Sequence, residues 1–452
     1  MMLNPIDSVN QDITQAITKF SAYCKDIESI FHSSIECSSP FLHKEHIEVI
    51  LNGGATSALQ RLVPANIRKK SGIFFTNAYL ADKVAKHIVP ILRSGGTLLD
   101  PACGAGNLLV ACSNYLPRGH TFLDTIQLWS QIVSGYDLFP EFIRASRLRL
   151  VLAAANHHMK DNNTLSDIDI ENVFPHLKVG NVFDSESILQ SQCIVVNPPF
   201  GYMQAPSDCT WAHGRIQAAG WFLEKLLLSA REGQHIVAIL PDVLNSGTRY
   251  ERWRNHILTL TSSLSINQVG RFDLDTDVDV FILHAVKGNK GPTRWPNMPQ
   301  RYFNTNHHLS NFFNIHVGTI VPHRDILEGE QYPYIHARTA PKWETIDHLA
   351  EYRPSTHTVF MPPFVVVHRT SSPSDKYRCM AAIVNLKQKV AVENHLLVLL
   401  PKDKQLSSCK QAIDLLRSKK TNDWLNSRIR CRHLTVTVLR ELPCFQIGID
   451  PN

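Results

Sequence analysis

Cys193-Ile194-Val195-Val196-Asn197-Pro198-Pro199-Phe200-Gly201 is the stretch from which the fold of this 452-residue chain can be read. An apolar run of strand-forming residues ends in an asparagine, two prolines and an aromatic ring. Because proline has no N–H to donate, it cannot continue a central strand, and the chain must leave the sheet at Asn197. An amide side chain, a stiff turn and a ring therefore stand at the carboxyl end of a strand, where open α/β sheets bind ligands.

The residues that follow this strand suit methylation of a planar, conjugated NH2 group. The lone pair of such a nitrogen is delocalised, which makes the nitrogen a poor nucleophile. The side-chain oxygen of Asn197 and the carbonyl of Pro198 can accept its two N–H bonds, while Phe200 stacks on the ring that carries it. We therefore assign Asn197, Pro198, Pro199 and Phe200 to the catalytic stretch. A proline-stiffened loop is the competing interpretation, since Pro-Pro-Phe recurs at 362–364 without a preceding Asn.

Composition sets limits on the class of protein. The chain has 46 Lys and Arg against 40 Asp and Glu, a net charge of +6, which permits a nucleic acid partner without requiring one. No apolar run approaches membrane-spanning length, and the first residues lack the features of a signal peptide, so we expect no membrane partner. The ten cysteines form no C-x-x-C pair, which predicts reduced thiols in a cytoplasmic compartment and no metal site.

Residues 96–109 predict the first β-α unit of a nucleotide-type sheet. A short strand ends at Asp100, and a turn that contains Gly104 and Gly106 then opens a helix. The two glycines allow the backbone to approach a ligand closely. The acid precedes the glycines, unlike the dinucleotide pattern G-x-G-x-x-G. This order suits a ligand with a positively charged amino acid part better than a pyrophosphate.

Two further units carry polar residues after a strand. Asp137 ends the second strand, where a carboxylate can accept both hydroxyls of a ribose; an exposed strand-end acid is the alternative. In the third unit Asn181 can hydrogen-bond the edge of an adenine, with Val182 and Leu138 packed on its faces. Further strand-like runs bring the count to seven. Because these strands alternate with helices, they predict a doubly wound α/β sheet.

Changes in composition and in apolar periodicity divide the chain into four parts. Residues 1–67 have helical periodicity, and we expect them to serve packing, with a DNA-clamping role as the alternative. Residues 68–290 hold the β-α units, and within them 202–216 are expected to form a polar, mobile loop with Trp211, His213 and Arg215. Residues 291–310 are rich in Gly, Pro and Asn and predict a linker. Residues 311–452 mix strands and helices and predict a separate α+β domain.

A basic stretch lies near the end of the chain. Between residues 405 and 440 there are eight Lys or Arg and two Asp. Such a stretch is either a solvated face or a surface that contacts phosphates, and the candidate contacts are Arg428, Arg430 and Arg432.

Taken in order, the motifs resemble those of the gamma-class N6-adenine DNA methyltransferases, the modification enzymes of restriction–modification systems. They are Gly72-x-Phe74-Phe75-Thr76, Asp100-Pro101-Ala102-Cys103-Gly104-Ala105-Gly106, Gly135-Tyr136-Asp137, Gly180-Asn181 and Asn197-Pro198-Pro199-Phe200. The resemblance covers about residues 66–290. It implies a Rossmann-like, S-adenosylmethionine-dependent methyltransferase sheet and a flipped-out adenine in double-stranded DNA as the acceptor. A bacterial or archaeal cytoplasmic enzyme that acts as a monomer is expected, and whether a cognate restriction endonuclease accompanies it stays open.

The resemblance also implies a role for each motif. Phe75 and Thr76 contact the methionine part of the donor, and Asp100 receives its ammonium group. The other implied donor contacts are Ala102, Gly104 and Gly106 in the turn, Asp137 at the ribose, and Asn181, Val182 and Leu138 at the adenine. Phe272 matches a second aromatic that braces the flipped base.

Two positions depart from the family pattern. Asn77 stands where the family usually has proline, and Phe200 replaces the commoner tyrosine. The tail after residue 310 loosely resembles the target recognition domains of such enzymes, which would offset the cost of flipping a base through groove and phosphate contacts.

Three alternatives stay open. The same Asn-Pro-Pro-aromatic chemistry serves enzymes that methylate a protein glutamine or guanine N2 in ribosomal RNA, although these resemble shorter chains. A DNA-binding specificity subunit without activity would be expected to have lost the glycine turn or Asn197, and both are present. A fused nuclease would need a carboxylate–lysine cluster, and no convincing one is found.

Overall fold

The computed structural model describes residues 11–33, 40–158, 168–273, 278–289, 291–296, 307–372, 375–428 and 433–444. The chain divides into two compact units. One consists of Met1–Asn245 and Tyr250–Pro296, and the other of Ser246–Arg249 and Asn297–Asn452. The four-part division predicted from the sequence stays a prediction, and residues 297–306 of the predicted linker lie outside the described residues.

The first unit is built on a seven-stranded sheet with a small hairpin beside it. Its strands are β1 (Leu98–Asp100), β2 (Val133–Asp137), β3 (Leu177–Val179), β4 (Cys193–Val196), β5 (Tyr202–Gln204), β6 (Arg215–Gln217), β7 (His235–Pro241), β8 (Thr261–Arg271) and β9 (Asp279–Lys287). The large sheet has the order β3-β2-β1-β4-β7-β9-β8, and β5 pairs with β6. The predicted α/β fold with seven strands is confirmed.

The order of the strands places the ends of β1, β2 and β4 side by side. These strands are parallel, with Asp100 opposite Gly135 and Leu99 opposite Ile194, whereas β9 runs antiparallel to both β7 and β8. The strand Cys193–Val196 is buried at every position, as its unbroken apolar run predicts for a central strand. The polar residues that follow these three strands therefore meet at one edge of the sheet.

Helices precede the sheet and alternate with its strands. Those of the first unit are α1 (Gln11–Thr18), α2 (Ser21–Ser33), α3 (Pro40–Val49), α4 (Ala55–Leu62), α5 (Ala65–Ser71), α6 (Ala78–Lys86), α7 (Val89–Arg93), α8 (Asn107–Ser113), α9 (Phe122–Ile132), α10 (Pro140–His157), α11 (Ser187–Gln190), α12 (Ala218–Ser229), α13 (Asp242–Ser246), which ends at the first residue of the other unit, and α14 (Glu251–Thr259). The predicted N-terminal helices are present. Helix α10 is buried between neighbours, and Arg144 on it forms an ion pair with Glu28 of α2.

The predicted loop at 202–216 is shorter than expected, because both ends of the segment form strands, and its predicted mobility stays a prediction. The segment starts and ends in the antiparallel strands β5 and β6, with Met203 opposite Ile216. Trp211 is buried, and its indole Nε1 donates to the carboxylate of Glu224 at 2.6 Å. A buried indole that has found a buried acceptor holds the segment against α12.

The second unit is a mixture of sheets and helices, as predicted. Its elements are α15 (Leu309–Phe312), β10 (Phe313–Val317), β11 (Glu330–Ile335), β12 (Thr345–Ile346), β13 (Tyr352–Ser355), β14 (Phe364–His368), β15 (Ala381–Val384), β16 (Ala391–Val392), β17 (Leu396–Pro401), α16 (Leu406–Arg417), α17 (Lys419–Arg428) and α18 (Val436–Arg440). A five-stranded sheet β10-β17-β14-β15-β12 has apolar residues on both faces, and one face packs on α16 and α18. Across the described parts of both units, no helix has the length and apolar character to cross a membrane.

Three histidines lie together in the first unit. The His235 Nδ1 and His284 Nε2 atoms are 3.0 Å apart, and the ring of His87 is 5.4 Å from that of His284. Burial, with the neighbouring His235 and His87, lowers the pKa of His284 to about 4. The folded state therefore binds this proton less readily than the unfolded state, and stability is complete above the ordinary histidine pKa and is lost as pH falls toward 4.

We expect the contribution of this cluster to the free energy of unfolding to be about 1–2 kcal/mol smaller at pH 5 than at pH 7. The measurement is denaturant unfolding of the full chain and of His284→Gln across this pH range, and the contribution is the difference between their two curves. His284→Gln should change the pH dependence by this amount, whereas His323→Gln, at an exposed position, should leave it as it is. A pH dependence that His284→Gln leaves unchanged would contradict the prediction.

Candidate active site

A cavity of about 700 Å³ lies at the edge of the sheet where β1, β2 and β4 end. Most of the predicted site residues line it: Phe75, Thr76, Asp100, Ala102, Gly104, Asp137, Leu138, Asn181, Val182, Asn197, Pro199 and Phe200. The lining does not include Gly106, Pro198 or Phe272. The folding of the chain thus gathers segments that are more than 120 residues apart in sequence.

The glycine turn is shaped by positive φ angles and by close packing. Gly104 has φ +53° and Gly106 has φ +77°, which side-chain-bearing residues rarely adopt. A Cβ at Gly104 would lie 2.7 Å from the ring of Phe75, and one at Gly106 would lie 2.9 Å from Ser146 Oγ. Both glycines are therefore explained by contacts within the protein, and their predicted contact with a donor stays a prediction.

Two carboxylates are buried in the cavity wall. Asp137 accepts hydrogen bonds from the backbone N–H groups of Gly104 and Phe139, each at 3.0 Å, and Asp100 accepts one from Ala102 at 3.1 Å. Burial raises the pKa of Asp100 to about 8 and that of Asp137 to about 6. In the described part of the chain no cationic side chain is within ion-pair distance of either. The pair therefore fits a ligand that brings its own positive charge.

Asn197 is held so that one polar atom is left without a partner. Its side-chain Nδ2 donates to the carbonyl oxygen of Phe74 at 2.9 Å, which fixes the orientation of the amide. Its Oδ1 atom is buried and has no hydrogen-bond partner among the described residues. An unsatisfied buried acceptor costs about 1–3 kcal/mol, and at this cavity wall the atom is available to a ligand that donates a hydrogen bond.

Three phenylalanine rings stand together beside this amide. The ring centroids of Phe200 and Phe272 are 5.3 Å apart at 70°, and that of Phe74 lies 6.3 Å from Phe200 and 6.5 Å from Phe272. Phe272 thus packs against Phe200 but does not line the cavity, and its predicted role in bracing a flipped base stays a prediction. Phe74 was quoted only as part of a motif. Its role was missed because the sequence does not reveal that neighbouring rings 74 and 75 point to different partners.

The segment 72–77 is fastened to the catalytic stretch at its start. The backbone N–H of Phe200 donates to the carbonyl of Gly72 at 3.3 Å. A Cβ at Gly72, whose φ is +69°, would lie 2.3 Å from the carbonyl oxygen of Phe200. Glycine is therefore required for this close approach.

Asn77 connects the end of the same segment to Phe272. Its Oδ1 caps helix α6 by accepting from the Leu80 N–H at 2.9 Å, and its Nδ2 donates to the carbonyl of Phe272 at 3.2 Å. Proline, which the family usually has here, could make neither bond. The departure from the family pattern thus has a structural role that sequence analysis missed.

A fully buried arginine supports the glycine turn from behind. Arg149 donates to the carbonyl of Ala105 and to Asn107 Oδ1, both at 2.5 Å. Asn107 in turn donates to the carbonyl of Thr76 at 2.5 Å. The pattern of α10 gave no sign of this role, since an arginine within a helix is ordinarily solvated.

The remaining predicted residues have mixed outcomes. Asn181 Oδ1 accepts from the N–H of Phe183 at 3.2 Å, and Val182 is buried. In the second unit Arg428 forms an ion pair with Glu441 at 2.6 Å and lies over the ring of Trp424. Arg430 and Arg432 lie outside the described residues.

Residues 59–261 match a family model described as N-6 DNA Methylase. This segment belongs to the N-6 DNA methylase family. The match includes every predicted donor and catalytic residue from Phe75 to Phe200 and ends before Phe272. Among curated proteins, none matches the sequence.

Solved structures similar to the chain include three restriction–modification proteins. The type IIG restriction endonuclease BpuSI has a TM-score of 0.42 at 12% identity, covering 97% of this chain and 71% of that one. The ATP-dependent type ISP enzyme LlaBIII bound to DNA has a TM-score of 0.46 at 10% identity, with 80% and 35% covered. The M protein of the type I enzyme EcoKI has a TM-score of 0.35 at 13% identity, with 63% and 68% covered.

Substitutions at Asn77 test how the methylase domain holds its aromatic cluster. We expect Asn77→Ala to lower the free energy of unfolding by about 1–2 kcal/mol, because both the cap and the bond to Phe272 are lost. Asn77→Ser should cost less, since serine retains the cap. Denaturant unfolding measures both, and equal losses for the two variants would show that the cap contributes nothing.

Proposed function

We propose that this protein is a site-specific DNA methyltransferase that transfers a methyl group from S-adenosylmethionine to N6 of an adenine flipped out of double-stranded DNA. The unpartnered, buried Oδ1 of Asn197 is the observation that carries the proposal. It lies at the end of β4 in an N-6 DNA methylase domain, next to an aromatic cluster that suits an extrahelical base. We further propose that the enzyme modifies DNA within a restriction–modification system, alongside a cognate endonuclease.

The cavity suits the proposed donor in charge and in hydrogen bonding. We infer that Asp100 receives the ammonium group, that Asp137 accepts the ribose hydroxyls, and that Asn181 lies at the adenine. A buried carboxylate without a cation favours a positively charged ligand, which supports the first assignment. When bound, S-adenosylmethionine supplies a methyl group activated by the positive charge of its sulfur.

On the acceptor side, the residues act by orienting and polarising the target amine. Asn197 Oδ1 accepts one N–H bond of adenine N6, which localises its lone pair as positive charge develops there. Since this hydrogen bond strengthens toward the transition state, its contribution belongs to turnover rather than to binding. We assign the other N–H bond to the carbonyl of Pro198, although Pro198 does not line the cavity. The stack of Phe200 on the base fixes the direction of the lone pair. As the C–N bond forms, the bond between the methyl carbon and the donor's sulfur breaks, and its electron pair stays on the sulfur. One N6 proton then leaves to solvent, and the amine is neutral again.

We propose that the second unit recognises the DNA sequence. An aromatic and cationic cluster supports this role: the rings of Trp343 and Tyr377 lie 5.2 Å apart, with Arg417 5.8 Å from the first ring and Lys376 5.3 Å from the second. Arg417 and Lys376 are exposed, and neither forms an ion pair with a described carboxylate. Trp343 also has φ +68°, a conformation that costs energy in a residue other than glycine and is common at binding sites. Phosphate contact by Arg428 would require its pair with Glu441 to open.

The catalytic role of Asn197 is tested by single-turnover methyl transfer to DNA that contains the target site. We expect Asn197→Ala to reduce the rate about a hundredfold or more, while donor affinity stays near that of the unmodified protein. Phe200→Ala should weaken capture of the base, and Phe200→Tyr should be tolerated because only a ring face is needed.

The target site has to be known before this assay, and methylation-sensitive sequencing of DNA from an expressing host identifies it. Methylation at a base other than adenine, or of RNA or protein only, would replace the proposed substrate. An Asn197→Ala protein that methylates adenine at an undiminished rate would contradict the assigned chemistry.

Donor binding should also release a proton through Asp100. With a pKa of about 8, this carboxyl is mostly protonated at pH 7, and an ammonium ligand would lower its pKa. We expect release of most of one proton for each donor bound, measured by calorimetry in buffers of different ionisation enthalpy. Asp100→Asn should abolish the release and weaken binding about tenfold or more. An unchanged proton release in the variant would assign the titration to another group.

A further inference from the structure

We propose that Lys69, Tyr202 and Arg215, which we name the cationic mouth, bind a backbone phosphate next to the flipped nucleotide. This inference rests on the proposed function and deepens it, because it assigns a site for the phosphodiester in addition to the base. All three residues line the 700 Å³ cavity, yet no family motif includes them.

Charge is unevenly distributed along the cavity wall. Its acidic and basic lining residues are Asp100, Asp137, Lys69 and Arg215. The two acids end β1 and β2, on the donor side of β4. The two cations belong to the segments that touch Phe200: Lys69 lies three residues before Gly72, and Arg215 lies on the hairpin that begins directly after Gly201. The positive charge is therefore associated with the target base, and the negative charge with the donor.

The hairpin that carries Arg215 is fixed on its inner side. Ile216 is fully buried, and Trp211 donates to Glu224 at 2.6 Å. The backbone N–H of Gln217, opposite Tyr202, donates to the hydroxyl of Tyr250 at 3.1 Å. A cation at the end of such an element is better positioned for recognition than one on a free loop.

The outer side of the hairpin has the groups that recognise a phosphodiester. The Arg215 guanidinium lies 5.6 Å from the centroid of the Tyr202 ring, and Tyr202 is 55% exposed. Arginine binds phosphate oxygens through two parallel hydrogen bonds, and a ring beside it can contact the neighbouring sugar or base. Lys69 is exposed as well and adds a second positive charge. A nucleotide that enters the cavity from a duplex necessarily brings its flanking phosphates to this mouth.

The cationic mouth also favours a nucleic acid substrate over a protein substrate. A glutamine side chain of a protein offers the same amide N–H bonds to Asn197, but it carries no phosphodiester. Two exposed cations beside the aromatic cluster give no advantage to such a substrate. They favour a polyanionic chain whose phosphates flank the reacting ring.

The test uses the full chain and a duplex that contains the target adenine, with either flanking phosphate replaced by a neutral methylphosphonate. We expect the double variant Lys69→Gln/Arg215→Gln to reduce the slope of log affinity against log salt by about one, because one phosphate contact is lost, and the replaced phosphate to weaken the unmodified protein about tenfold. Arg215→Gln should then lose little further affinity on the neutral duplex. Arg93→Gln, an exposed arginine that precedes β1 at the opposite edge of the sheet, should bind like the unmodified protein.

Two results would overturn the cationic mouth. One is an unchanged salt slope in the double variant Lys69→Gln/Arg215→Gln. The other is an additive loss when Arg215→Gln is combined with the methylphosphonate at each of the two positions in turn. Unchanged donor affinity by calorimetry shows that the variants are folded. If the unmodified protein methylates adenine in this DNA while the losses are additive, the inference fails and the proposed function stands. If coupling is seen without methylation of adenine, the phosphate site stands and the proposed acceptor is wrong.

Discussion

The hydrogen bond from Asn197 Nδ2 to the carbonyl of Phe74 is the interaction on which the site depends. It joins two segments separated by 123 residues, and it leaves the Oδ1 atom without a hydrogen-bond donor among the described residues. Had the amide been free to rotate, either end could have faced a ligand, and a bound amine would have had to pay for its orientation. Because the orientation is set during folding, the acceptor is preorganised for a group that becomes more positive as it reacts.

The side of the cavity assigned to the methyl donor also holds buried polar groups that lack a full set of partners. Asp100 and Asp137 are buried close enough for the charge of one to raise the pKa of the other, and backbone N–H groups offset only part of the cost. A fold selected only for stability would place an apolar residue or a cation there. The two ends of the cavity thus lack different partners: the carboxylates lack a positive charge, and the Asn197 amide lacks a hydrogen-bond donor. A methyl donor with a cationic amino acid part would supply the charge, and a methyl acceptor with an NH2 group would supply the hydrogen bond.

Sequence reasoning succeeded where the signal is local. Prolines after a buried apolar run mark the end of β4, and glycines after Asp100 mark a turn. Proline narrows the range of backbone φ angles and glycine widens it, wherever either residue occurs. The links between segments could not be predicted in this way. Asn77 reaches a carbonyl 195 residues away, and Trp211 finds its acceptor only once α12 packs beside the hairpin. A sequence shows which groups can bond, whereas the choice of partner depends on the packing of the whole unit.

The N-terminal helices illustrate why a segment without motifs still shapes a site. Sequence analysis favoured a packing role for them, and Ile13 also lines the cavity. Phe20 packs edge-on against Phe75 at 5.8 Å. The turn that follows α3 is tied to the same place, since Arg149 donates to the carbonyls of Ile50 and Leu51 as well as to the glycine turn. Because the buried guanidinium of Arg149 donates to both segments, neither segment alone can satisfy it. The glycine turn and the residues that follow α3 therefore depend on each other. The donor side of the cavity is therefore a product of two parts of the chain, one with motifs and one with apolar periodicity only.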